Sequence, residues 1–140
     1  MKKILLLLTT LFILASCSID DNPQQDFYVD FLPMEIVHMP QFVQTGKPCE
    51  IKVRFQKPNG CHLFERFHTE TEGNAILIAV QTVVKPDNEC LKVTDLQPEE
   101  RSFTFTPSEL YNSGVYILKF LKGVDSNGNR TYTQVEMHVR

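Results

Sequence analysis

Two histidines, His62 and His68, stand in a stretch that also carries Glu65, Glu70 and Glu72. Imidazole and carboxylate are the side chains that hold a catalytic zinc, three of them on one ion. Residues Cys61 to Glu70, however, alternate as a strand does, and in a strand residues 62, 66 and 68 share one face while Glu65 points to the other. Three ligands then do not converge without a bulge, and polar residues on a half-exposed sheet are the expectation. A second candidate is Asp125-Ser126-Asn127-Gly128-Asn129, followed by Glu136. A calcium loop needs its glycine at the sixth position and its last glutamate at the twelfth, in fixed geometry. Here the glycine is fourth and Glu136 falls in a strand pattern, so a hairpin turn at Asn127-Gly128 is expected instead. Neither stretch implies a metal or a cofactor.

Nucleophilic catalysis needs an activated group beside a base. Cys49 has no local base and lies on the apolar side of an alternating run; there is no Gly-x-Ser-x-Gly elbow and no glycine-rich phosphate loop. No catalytic residue is assigned, and the chain is not expected to be an enzyme. A net charge of -3 with scattered lysines and arginines supplies no concentrated basic face, so nucleic acid is not an expected partner. With 42% hydrophobic and 22% charged residues in 140, the composition is that of one ordinary globular domain.

The elements that would position any site begin after a leader. Lys2 and Lys3 are followed by the uncharged apolar run Ile4 to Leu14 and by small Ala15 and Ser16, the three parts of a secretory signal. A run of that length is short of the ~20 residues that span a bilayer. The ending Leu14-Ala15-Ser16-Cys17 resembles the lipobox of bacterial lipoproteins. That resemblance implies cleavage before Cys17, a diacylglycerol thioether on its sulfur and an acylated amino group. A single acyl chain binds a membrane only marginally, whereas two or more anchor stably. Cys17 is thus expected to be the lipidation site and the membrane the first partner. Loss of Lys2 and Lys3 with the leader leaves a charge of -5 over 124 residues.

Residues 17–26 comprise the lipidated cysteine and a polar segment, SIDDNPQQD, that reads as a flexible tether. By resemblance, Ser18 is not the aspartate that retains lipoproteins at the inner membrane, so an outer membrane location is expected. Cys17-Ser18 followed by Asp20-Asp21 also resembles the acidic export signal of surface lipoproteins in the Bacteroidota. Surface export and a plain solvated tether both stay open.

Residues 27–140 form the domain. Pro48 to Gln56 places Cys49, Ile51, Val53 and Phe55 on one face and Glu50, Lys52, Arg54 and Gln56 on the other, the pattern of a half-buried strand. Similar runs occur near 34–39, 61–70, 75–84, 101–106, 114–121 and 131–139. Turn signals separate several of them: Asn59-Gly60, Glu72-Gly73-Asn74, Pro86-Asp87-Asn88 and Asn127-Gly128. No helical period appears. About seven strands at this spacing predict an all-β, antiparallel sandwich or barrel. Phe64 and Phe67 could offer a sugar or protein contact, but core packing is the expectation.

Three cysteines remain after Cys17, which allows one internal bridge and leaves one free thiol. Of the three possible pairs, Cys61 with Cys90 is favoured. Both stand at element ends beside turns, in Asn-Gly-Cys and Asn-Glu-Cys, whereas Cys49 lies within a strand.

Asn112-Ser113-Gly114-Val115-Tyr116-Ile117-Leu118 resembles the Asp-Ser-Gly-x-Tyr-x-Cys corner of immunoglobulin domains, with Asn112 for the aspartate and Leu118 for the cysteine. The resemblance implies an immunoglobulin-like β-sandwich with Tyr116, Leu118 and Phe120 facing the core, and no inter-sheet disulfide. Cys49 is then expected to be a buried, unreactive thiol. The folded region as a whole resembles a group of small Bacteroidota lipoproteins with a single immunoglobulin-like domain. The likeness rests on Leu32-Pro33-Met34-Glu35, Pro58-Asn59-Gly60-Cys61, Cys90 and the terminal hairpin GVYILKFLKGVDSNGNRTYTQVEMHV. It implies a fold and a compartment and no substrate. The expected role is a lipid-anchored binding or structural module of the cell envelope, its partner an envelope protein or a glycan. The alternatives are an adhesin or surface-assembly subunit, and a ligand or metal binder.

Overall fold

The computed structural model describes residues 27–86, 89–108 and 114–140. The leader 1–16, Cys17, the tether up to Asp26 and the Asn112-Ser113 pair lie outside the described residues.

Nine strands make up nearly all of the regular structure described: β1 (Tyr28–Leu32), β2 (Glu35–His38), β3 (Phe42–Val43), β4 (Cys49–Phe55), β5 (His62–Glu72), β6 (Ala75–Val84), β7 (Glu99–Phe105), β8 (Val115–Val124) and β9 (Arg130–Val139). A 3-10 turn, Val93–Asp95, lies in the connection from β6 to β7. The seven anticipated strands are present as β2 and β4 to β9. β1 and β3 are additions.

Six strands form the larger sheet, and β6 is its axis. On one side β5 pairs antiparallel along the length of β6 through a tight turn at Gly73-Asn74, where Gly73 takes a positive φ that a side chain disfavours. On its other side β6 has two neighbours in succession: β8, parallel to Ala75–Ile78, and β1, antiparallel to residues 80–84. β9 then pairs antiparallel with β8, and β3 adds a short parallel pair at the end of β9. The smaller sheet, β2-β4-β7, is antiparallel. Two sheets face each other without closing, so the chain is a β-sandwich, as expected. Its pairing departs from pure antiparallel at β3–β9 and β6–β8.

The core lies between the sheets. From the smaller sheet come Ile51, Val53 and Phe55; from the larger come Ile78, Val80, Tyr116, Leu118, Phe120 and Met137, all buried. The alternation read in β4 and in Tyr116-Leu118-Phe120 is therefore borne out. β6 is buried on both faces over much of its length, which explains its nearly unbroken apolar sequence AILIAVQTVV. Phe64 stacks with Phe55 at 6.0 Å and meets Phe67 edge-on at 5.3 Å, and Phe67 reaches Phe103 of the opposite sheet at 4.8 Å. The two phenylalanines are core residues. Tyr116 packs edge-on against Phe105, and its hydroxyl donates to the backbone oxygen of Ser108 eight residues earlier. That bond is the tyrosine corner expected of an immunoglobulin-like sandwich.

One expectation changes. The β5–β6 register slips between Phe64 and Arg66, a bulge at Glu65. Beyond it, Phe67 and not Arg66 continues the inner face begun by His62 and Phe64, because an extra residue reverses the alternation. His62 and His68 therefore lie on opposite faces.

Candidate functional site

The polar side chains of most interest gather where β1 begins, β5 begins and β6 ends. Tyr28, Val84 and His62 stand side by side in register there, as do Val29, Val83 and Leu63 in the next row. Just outside β5, the Sγ atoms of Cys61 and Cys90 are bonded, with Cα atoms 5.4 Å apart. The segment after Cys90 is held close by the Asn59–Lys92 bridge and by the Gly60 amide, which donates to the Leu91 oxygen at 2.9 Å. Gly60 suits this approach because a Cβ there would stand 2.9 Å from the Leu91 Cβ. The favoured cysteine pair is thus the bonded one.

His62, only 4% exposed, is buried beside the bridge. Its Nδ1 lies 2.8 Å from Asn59 Oδ1, which also accepts the Cys61 amide at 3.0 Å, and its Nε2 lies 3.3 Å from Asp30 Oδ2. Each ring nitrogen thus faces an oxygen partner inside the protein. Thr82 donates its hydroxyl to the Asp30 backbone oxygen, so the network crosses β6 and ties β5 to β1. Asn59 was legible only as a turn residue, and the role of Asp30 could not be read because its partner is 32 positions away.

The remaining candidates are engaged elsewhere. Glu65 accepts from Gln81 Nε2 at 2.7 Å, and Gln81 Oε1 accepts from Arg66 Nε at 3.3 Å. His68 packs its ring on Phe31. Among the described residues, no three of His, Cys, Asp and Glu cluster closely enough to hold a metal ion. Asp125 caps its own turn: Oδ1 accepts from the Asn127 and Asn129 amides at 2.9 and 2.8 Å, and Oδ2 from the Asn129 side chain at 3.3 Å. These bonds, the Asn129 amide foremost, hold its carboxyl below the usual carboxylate range. The residues expected to form a hairpin turn do so.

Among the described residues Cys49 is the free thiol, half-buried at the start of β4. Desolvation pushes its pKa up, against the smaller opposing effect of a backbone hydrogen bond, which suppresses the thiolate a nucleophile requires. Elsewhere, an open groove of about 640 Å³ runs along β2, with Met34, Ile36 and Phe55 among its apolar residues and Glu35, Arg54, Gln56, Lys122 and Thr133 among its polar ones. Arg54 also forms a two-pronged contact with Glu100, which Lys52 holds from the other side at 2.7 Å. Such exposed pairs contribute little to stability.

A model of the family described as the ORF11 beta-sandwich domain matches residues 51–136. The chain belongs to that family. The ORF11 beta-sandwich match runs from within β4 to within β9 and so contains the Cys61–Cys90 bridge and the Tyr116 corner, while β1, β2 and β3 precede it. The family description names a fold and no activity. No curated protein and no solved structure matches the chain.

Proposed function

We propose that the protein is a lipid-anchored lipoprotein of the outer membrane whose β-sandwich binds or scaffolds other envelope components and performs no catalysis. The observation that carries this reading is the Cys61–Cys90 bridge behind a leader ending in Leu14-Ala15-Ser16-Cys17. Disulfides persist in oxidising, exported compartments and are rare in the cytosol. The bridge therefore supports the exported destination expected from the lipobox. A non-catalytic role is supported by how the reactive groups are placed: desolvation raises the pKa of the Cys49 thiol, and both His62 nitrogens have partners within the fold.

The assembly-subunit alternative gains less support. A subunit that pairs through a strand edge needs that edge open, and β5, the long edge strand, carries a bulge and the charged Glu65, Arg66, Glu70 and Glu72. Bulges and charges are how proteins discourage strand addition. The ligand-binding alternative has a specific place, the groove along β2, where apolar surface meets several polar groups.

The test is metabolic labelling with a fatty acid. The wild-type chain is expected to take up label and to fractionate with the outer membrane, and Cys17→Ser to abolish both. Label that survives the substitution, or wild-type chain that never acquires it, overturns the anchor. Protease treatment of intact cells then separates surface export from a periplasmic position.

A further inference from the structure

Exposed apolar side chains are concentrated at one end of the sandwich. Val29, Val83 and Leu63 form one row across β1, β6 and β5 on the outward face, about 10 Å wide at the ordinary strand spacing. Val29 is 51% and Leu63 54% exposed, and Phe27, immediately before β1, is 58% exposed. Leu91, at 60%, is pinned next to the start of β5 by the Gly60 amide and the Cys61–Cys90 bridge. Single exposed apolar residues are ordinary, but a contiguous group marks a contact surface. The comparably exposed Val37, Phe42 and Val124 are dispersed over other elements, and Phe42 is capped by the Arg140 guanidinium at 3.6 Å.

The position of this group in the chain says what meets it. Phe27 is ten residues beyond Cys17. Ten residues reach at most about 35 Å when extended and average about 17 Å as a coil. A lipid on Cys17 therefore favours this end of the domain, where the tether joins it, as the one beside the bilayer. Lys85 follows β6 and Lys92 follows Leu91, and lysine is a residue type whose apolar stem can lie along an apolar surface while its ammonium group stays in the polar layer. Apolar contacts too weak to bind a membrane unaided become effective when an anchor supplies high local concentration.

We propose that Phe27, Val29, Leu63 and Leu91 form a membrane-contact face, seating the sandwich on the phospholipid interface with its disulfide end down and β3 up. The inference rests on the lipid anchor proposed above and adds an orientation to it.

The chain has no tryptophan, so single reporters can be introduced into the full lipidated protein. Phe27→Trp and Leu63→Trp report on the proposed face; Phe42→Trp, at the opposite end beside His138, is the control. Each variant is reconstituted on phosphatidylcholine vesicles carrying bromine on their acyl chains near the headgroups. Emission from positions 27 and 63 is expected to shift to the blue and to be quenched, and that from position 42 to stay unchanged. Protein that floats with the vesicles without greater quenching at 27 and 63 than at 42 overturns the contact and leaves the anchor standing. Protein that does not float overturns both. A blue shift at 27 and 63 without vesicles that grows with protein concentration assigns the face to a second copy of the chain instead.

Discussion

At the scale of single residues, His62, His68, Glu65 and Asp125 are engaged within the fold. Cys49 is a free thiol whose pKa is raised by desolvation. A folded-state pKa above the unfolded one contributes stability that is full below the unfolded value and is lost as pH rises through the folded one. Alkylation of Cys49 by iodoacetamide is therefore expected to be several-fold slower in the native protein than in urea. Stability is expected to fall more steeply toward alkaline pH in the wild type than in Cys49→Ala, as followed by denaturant titrations at a series of pH values. Native alkylation as fast as that of the unfolded chain would refute this account. Asp125 has the opposite sign: its lowered pKa gives stability present above the unfolded carboxyl's value and lost as pH falls through the folded one.

Elements show what a sequence can and cannot disclose. β4 and β6 to β9 were legible because their apolar residues alternate or run unbroken and turn residues bound them. β1 was not, because Tyr-Val-Asp-Phe-Leu places a carboxylate mid-strand, and that carboxylate makes sense only opposite His62 on β5. β3, at two residues, has no period to read. The bulge at Glu65 was equally hidden, since an extra residue in a strand shows only once its partner is known. Of the candidate site, the cysteine pair could be chosen from turn context, while the Asn59-His62-Asp30 network could not. The Tyr116 corner was legible from a local motif, and it offers a local test. Tyr116→Phe keeps the ring against Phe105 and deletes the hydroxyl that meets the Ser108 oxygen, at an expected cost of about 1 to 2 kcal/mol. A urea midpoint unchanged by that substitution would remove the corner from the account of stability.

For the whole molecule, the bridge is the largest single constraint. Closing a loop with a sequence separation of 29 stabilises by about 3.5 kcal/mol on the chain-entropy model, a large part of the 5 to 15 kcal/mol typical of a domain. The double variant Cys61→Ser, Cys90→Ser is expected to lower unfolding free energy by about that amount. Reductant should bring the wild type down to the same level and leave the double variant unmoved. A wild type indifferent to reductant would show that the bridge adds nothing.

The parallel pairing of β6 with β8 carries a consequence for how the chain acquires its structure. Ala75 meets Ile117 only after the intervening segment has crossed to the other sheet, laid down β7 against β4 and returned. The strand that completes the smaller sheet thus lies inside the connection that completes the larger. Most contacts are long-range, and slow folding is the expectation for such a topology. A fragment ending before β8 would leave the Ala75–Ile78 half of β6 without its neighbour on that side, and would lose with it the partner strand of β9.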